Sequence, residues 1–277
     1  MEIQKRPIIT LLTDFGNKDP YVACMKGVIL SICPEASIVD LSHEVPKFDI
    51  IHASFFLAQC VQFFPNGTIH VAVVDPGVGT GRLAIAVSTE SAILVGPDNG
   101  ILEPAAKILG IREIYSIENE SYLSKRQAPT FAGRDVFAPV AAHIAKGVLL
   151  ESLGPRLRGL KKLEIPDALI TSDRILGSVI YVDSFGNLIT NIPREAINRK
   201  ISIGERLPLK IGSIEEELLY TRSYGFVGRG EPLLLIGSFG LLEIAVNQAR
   251  ASERFKASVG TTVELLLEES FKERRLS

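Results

Sequence analysis

The stretch 68-TIHVAVVDPGVGTGRLAIAVSTESAILVGPDNG-100 decides the fold. It holds three apolar, β-branched runs, 68–74, 83–88 and 92–95, broken by turns rich in Gly, Pro and Asp. The first run has no polar alternation, so it reads as a strand covered on both faces, as in a parallel sheet packed between helices. Working outward, 7-PIITLLT-13 is a similar run that ends at Asp14-Phe15-Gly16. A helical pattern follows over about 21–32 and stops before Pro34, and 36–41 reads as another strand. Residues 50–64 carry apolar side chains at helical spacing up to Pro65-Asn66-Gly67. Strands alternating with helices predict a mostly parallel α/β sandwich. Further on, Asp135 is expected to cap a helix over 136–144, with Pro139 in its first turn and Gly147 at its end.

Around 153–166 Gly, Pro and basic residues interrupt the pattern, and after 172 its texture changes. Short apolar runs recur at 175–182, 207–211, 233–236, 242–246 and 261–267 with turn residues between them. That predicts a second, smaller all-β domain. The expected division is 1–170 and 171–277.

Composition narrows the function. A formal net charge of −2 gives no ground for a nucleic-acid or membrane-surface partner. No run approaches the roughly 18 apolar residues of a membrane span, and residues 1–7 lack the apolar stretch of a signal peptide. Three cysteines, Cys24, Cys33 and Cys60, form no CxxC pair, which fits a reducing cytoplasm. The charged run 268–275 reads as a solvated tail. The four histidines, His43, His52, His70 and His143, make no metal-ligand cluster, so no metal is expected.

Four segments combine Asp, Asn, Arg and Gly: 13–16 (TDFG), 75–79 (DPGVG), 96–100 (GPDNG) and 130–135 (TFAGRD). Three directly follow strand runs, which gathers them on the carboxyl rim of a parallel sheet, where ligands bind. The carboxylate of Asp14 suits a ribose diol, and equally an N-cap for the next helix. Asp75 and Arg82 flank a Gly-rich loop; they suit the polarising of a water molecule, and equally a structural ion pair. That loop lacks both the Gly-Lys-Ser/Thr ending of a P-loop and the GxGxxG spacing of a dinucleotide fold. In the second domain, Asp183-Ser184-Phe185-Gly186-Asn187 and Gly237-Ser238-Phe239-Gly240 place an aromatic ring beside polar groups, as a flat heterocycle requires and as a plain β-turn also does.

Taken in order, TDFG at 13–16, MKG at 25–27, VVDPGVGT at 73–80, GPDNG at 96–100, TF-GRD at 130–135, FGN at 185–187 and LEIAVN at 242–247 closely resemble the S-adenosylmethionine hydroxide adenosyltransferases, relatives of the fluorinase and chlorinase. The resemblance spans nearly the whole chain. It implies a C-terminal β-barrel and a homotrimer whose substrate lies between subunits. It implies hydrolysis of S-adenosylmethionine, the substrate, to adenosine and methionine, with no cofactor. Asp14 would hold the ribose hydroxyls and Phe48 would pack on the sugar. Asp19, Tyr21 and Ser238 would contact methionine; Phe185, Asn187 and the strand around Val246 would hold adenine. Asn99 and Phe131 join the substrate site through their motifs. The hydrolases use an Asp, Arg and His set; Asp75 and Arg82 match the first two, while Ala132 stands where the family carries His.

Ala132 is either an introduced substitution or natural divergence, and both predict weakened hydrolysis with binding retained. Alternatives are a non-catalytic binder of adenosine or S-adenosylmethionine, and a halogenase, which would lack the Asp–Arg pair retained here. A metal-dependent phosphoesterase would need ligand clusters that the chain does not carry.

Overall fold

The computed structural model describes residues 6–125, 128–163 and 166–267; the N-terminal stretch 1–5 and the charged tail fall outside them. By internal contacts the chain divides into two units, Met1–Glu164 and Ile165–Ser277. The division precedes residue 170 because a two-residue strand at 169–170 pairs with the second unit.

The first unit runs β1 (Ile8–Thr13), α1 (Tyr21–Ile32), β2 (Ser37–Ser42), α2 (Ile50–Cys60), β3 (Thr68–Val73), β4 (Ala84–Thr89), β5 (Ala92–Pro97), α3 (Glu103–Leu109), β6 (Ile111–Ser116) and α4 (Ala138–Ala145). The sheet order is β2-β1-β3-β5-β4-β6. The β1–β2, β1–β3 and β3–β5 pairings are parallel, while β4 runs antiparallel to both neighbours. Only Glu90 and Ser91 separate β4 from β5, too few for a crossover, so the chain doubles back as a hairpin. α3 and β6 do not emerge from the sequence pattern, being seven and six residues long with a single glycine, Gly110, between them.

Alternation along the strands builds two cores. Ile9 and Leu11 of β1 face a cluster with Met25 and Ile29 of α1 and Ala138 and Ala141 of α4. Leu12 joins a second cluster with Leu57 of α2 and Ala105 of α3. The sheet is thus covered on both faces, and every residue of β3, polar Thr68 and His70 included, is buried.

The helix that includes α4 begins differently from expectation. Asp135 does not cap it. Residues Gly133–Phe137 form a π-helical turn that leads into α4. The Asp135 N–H already bonds to the Phe131 carbonyl, and its carboxylate turns back to accept the Ala128 N–H at 2.7 Å. At the other end Gly147, at φ 94°, closes the helix as expected.

His70, in the centre of β3, is fully buried and pairs its Nδ1 with Thr10 Oγ1 at 2.8 Å. Burial lowers its pKa from 6.5 to about 4. Between those values the unfolded chain binds a proton that the folded chain refuses. The associated stability is therefore present above pH 6.5 and is lost as pH falls toward 4, by about 3 kcal/mol in all. Urea midpoints followed from pH 7 to 4 should fall less steeply in His70→Gln; an equally steep fall would mean that other groups carry the acid sensitivity.

The second unit comprises β7 (Leu169–Ile170), β8 (Arg174–Val182), β9 (Leu188–Pro193), α5 (Arg194–Asn198), β10 (Arg206–Ile211), β11 (Ile214–Tyr220), β12 (Pro232–Ile236), β13 (Leu241–Val246), α6 (Ala251–Arg254) and β14 (Thr262–Leu266). The order β14-β10-β11-β12-β13-β9-β8 closes through a β14–β8 pairing into a seven-stranded barrel, with β7 added along β8. Ile175, Leu209, Leu234, Ile244 and Val263 fill its interior. β9 and β11 were not apparent as apolar runs; the Glu215-Glu216-Glu217 run within β11 masks it.

Candidate active site

Because β1, β3 and β5 are parallel, their carboxyl ends share one edge of the sheet. A cavity of about 600 Å³ opens there, lined by Asp14, Phe15, Asp19, Tyr21, Lys47, Phe48, Val73, Asp75, Val78, Ala128, Thr130 and 131–134. Most of the residues singled out in the first unit meet in this one place. Asn99 does not: its Nδ2 donates to the Val74 carbonyl at 2.8 Å and its Oδ1 accepts the Ile101 N–H, so it shapes the backbone just before Asp75.

Asp14 follows β1 and is 6% exposed. It caps no helix, since α1 begins after Pro20. Its Oδ2 accepts the Phe48 N–H at 2.9 Å, and Lys47 Nζ donates to its carbonyl. Phe48 sits at φ 67°, a left-handed conformation rare for a bulky residue, and is 70% exposed as a residue at the cavity. Strain of this kind clusters where a ligand is clamped.

Asp75 and Arg82 stand at either end of the Gly-rich loop. Arg82 Nε donates to Asp75 Oδ1 at 3.1 Å and its Nη2 to Oδ2, a two-point pair with both side chains largely buried. Arg82 Nη1 also donates to the Leu83 carbonyl, and its guanidinium lies 5.5 Å from the Phe137 ring centroid. Asp75 lines the cavity and Arg82 supports it from behind. The loop is pressed against the 128–131 segment: a Cβ on Gly79, at φ 77°, would lie 3.0 Å from the Pro129 carbonyl oxygen.

Ala132 lines the same cavity as Asp75. Beside it, a Cβ on Gly133 would lie 3.1 Å from Met25 Sδ and 3.2 Å from the Phe15 ring, so a larger residue there would have to push these side chains aside. Phe15, Tyr21 and Phe131 pack pairwise with ring centroids 5.2–5.8 Å apart. The Arg134 guanidinium covers Phe131 at 4.9 Å. Arg134 also makes a two-point pair with Asp135. Burial pushes the Asp135 carboxyl up, but Arg134 and the Ala128 N–H together hold it below its ordinary range. Lys47, Phe15 and Arg134 escaped the sequence reading; Phe15 and Arg134 lie inside motifs already noted and Lys47 adjoins Phe48.

In the second unit Phe185, Asn187 and Val246 line a separate cavity of about 560 Å³ with Tyr224 and 247–250. Asn187 is fixed by Asp183, which accepts its N–H at 2.8 Å and its Nδ2 at 2.9 Å. Phe185 stands 76% exposed. The Tyr224 hydroxyl donates to Glu243 Oε1 at 2.7 Å, and burial pushes both groups up. Ser238 lies outside this cavity, exposed in the turn between β12 and β13.

Among the described residues, no group of three or more His, Cys, Asp or Glu is placed to hold a metal ion, and no helix is long and apolar enough to cross a membrane.

Comparison with known proteins agrees with this geometry. Residues 9–154 match the SAM hydroxide adenosyltransferase N-terminal domain and residues 177–264 the C-terminal domain. An (R)-S-adenosyl-L-methionine hydrolase from Thermus thermophilus is 37% identical, over 94% of this chain and all of the relative. A protein of the same name from Methanocaldococcus jannaschii is 36% identical over 94% of this chain and 95% of its own length. A fluorinase from an Actinoplanes species is 29% identical over 95% of this chain and 98% of its own. The crystal structure of an uncharacterized conserved protein from Thermotoga maritima superposes with a TM-score of 0.89 at 38% identity, covering 93% of this chain and 99% of that one. With both domain models matched in order along one chain, this protein belongs to the SAM hydroxide adenosyltransferase family.

Proposed function

We propose that the chain hydrolyses S-adenosyl-L-methionine to adenosine and L-methionine, slowly, because position 132 is alanine. The observation that carries this reading is the buried two-point pair of Asp75 and Arg82 at the wall of the rim cavity. In the reaction a water oxygen bonds to C5′ as the C5′–S bond breaks. The bond's electron pair goes to sulfur, and methionine leaves as a neutral thioether that needs no acid. As the C5′–O bond forms, the attacking water's proton passes to solvent water, and what the protein supplies is an oriented water in the rim cavity. Both Asp75 oxygens accept from Arg82, which leaves each a further lone pair for water; we assign Asp75 the orienting role.

The remaining assignments belong to the same proposal. Asp14 and Phe48 hold the ribose, Asp19 and Tyr21 the methionine part, and Phe131 bounds the reacting centre. Phe185, Asn187 and Val246 hold adenine, with Ser238 on methionine. No cofactor takes part. The names of the relatives point to the (R) sulfonium as substrate. A homotrimer in the cytoplasm completes the reading, and sedimentation should give three times the 30.2 kDa chain mass.

The test is incubation with an epimer mixture of S-adenosylmethionine. Adenosine and methionine should form in equal amounts as the (R) form is consumed. Ala132 supports a second reading, a binding protein without turnover, which predicts tight association and no adenosine at all. Halide-dependent formation of a 5′-halo-adenosine would instead favour a halogenase.

A further inference from the structure

Behind Asp14 lies a buried polar chain that the proposed chemistry does not use. Thr13, the last residue of β1, is fully buried, and His43, just beyond β2, is 4% exposed. Thr13 Oγ1 and His43 Nδ1 are 2.8 Å apart. His43 Nε2 lies 3.0 Å from Asp40 Oδ1, and the other Asp40 oxygen accepts from Lys26 Nζ at 2.6 Å. At the near end, Thr13 Oγ1 also accepts the Phe15 N–H at 3.2 Å, and the His43 carbonyl accepts the Gly16 N–H at 2.7 Å. Thr13 and Gly16 are thereby tied to His43 directly and Phe15 only through Thr13, while the Asp14 carboxylate lines the cavity.

The bonding directions are consistent from Phe15 to His43; beyond it, His43 Nε2 approaches Asp40 Oδ1 at 3.0 Å without an aligned hydrogen bond, so that contact is one of charge and proximity. Because Thr13 Oγ1 accepts from Phe15, its proton is free to point at His43 Nδ1. Nδ1 then needs a lone pair, which places the ring proton on Nε2, facing the Asp40 carboxylate. A β-bulge creates the alignment. Ile8 faces Ser37 at the start of the pairing, but the register slips between Leu11 and Leu12, so that Leu12 faces Ser42 and Thr13 comes level with His43. The carboxylate–imidazole–hydroxyl order is that of an activated nucleophile, yet a fully buried Thr13 that does not line the cavity cannot meet a substrate.

We propose that Thr13 and His43 are positioning residues that fix the 13–16 turn and so set Asp14 for a vicinal diol, resting on the reading of Asp14 as the ribose ligand. The experiment measures the dissociation constants of adenosine and 2′,3′-dideoxyadenosine on the full chain, on Thr13→Val, which removes the hydroxyl at nearly constant shape, and on Thr13→Ser, which restores it. The ratio of two affinities on one preparation does not depend on how much of it is folded, so a merely structural role leaves that ratio unchanged. Hydrogen bonds to a carboxylate should make the unmodified chain favour adenosine by about tenfold or more. Thr13→Val should lose most of that preference and Thr13→Ser regain it. Asp40→Ala, at the more exposed end of the chain of contacts, should lose part of it and serves as the test should Thr13→Val not fold. An undiminished preference in Thr13→Val, or in Asp40→Ala if that variant stands in, would overturn the proposal. If the unmodified chain itself shows no preference for the diol, the assignment of Asp14 fails, and the positioning role fails with it.

Discussion

Replacing Ala132 by His is expected to raise adenosine formation by ~10² to 10⁴-fold, the range typical of a positioned acid–base or polar catalytic group. Position 132 lines the same cavity as Asp75, and its backbone is ordinary right-handed helix, φ −59° and ψ −27°. Imidazole therefore enters without a change of backbone, into space of about 600 Å³. The neighbouring Gly133 lies closely against Met25, Phe15 and Phe131 on the core side of this turn. Adenosine affinity should change by less than about threefold, because only the reacting water gains a partner. Product is counted by chromatography under saturating substrate. An unchanged rate in the His variant would remove the hydrolase account of this position and leave the non-catalytic binder in its place.

The second large effect is expected at Asp75. In the Ala132→His background, Asp75→Asn should lower kcat by ~10²-fold while adenosine binding holds within about threefold. Asn keeps the shape and one acceptor for Arg82 but loses the charge. Asp75→Ala should do further damage: the Arg82 guanidinium, half of a buried pair, would lose both carboxylate contacts. Removing one partner of such a pair costs about 3–5 kcal/mol, which a lowered denaturation midpoint would report. The combination to look for in Asp75→Asn is lost turnover with retained affinity. If affinity and rate fall together, Asp75 holds the substrate rather than the water.

Much of the fold was written in local pattern. The runs at 8–13 and 68–73, apolar on both alternating faces, demanded cover on both sides, and the two clusters around Met25 and Leu57 supply it. The barrel followed from short runs and frequent turns, although the charged face of β11 hid one wall. Two elements resisted for specific reasons. β4 reverses because its link to β5 is two residues long, a fact about connection length rather than hydrophobicity. The start of the α4 helix moved because the Asp135 carboxylate turns back to its neighbour Arg134 and to the Ala128 N–H, a donor that only the folded loop brings near.

By itself, then, the sequence determined which residue types stand at the ends of the central strands: strand length and turn chemistry are local, and parallel strands bring their carboxyl ends to one edge. It also determined the family, through motifs whose order survives without coordinates. The tertiary structure decided which of those residues face the cavity. Asp75 does and Arg82 backs it; Asn99 instead braces Val74. It also revealed the Thr13–His43–Asp40 chain, because a one-residue slip between β1 and β2 brings 13 level with 43. Register of that kind depends on the pairing of two strands far apart in the chain, and no local pattern encodes it.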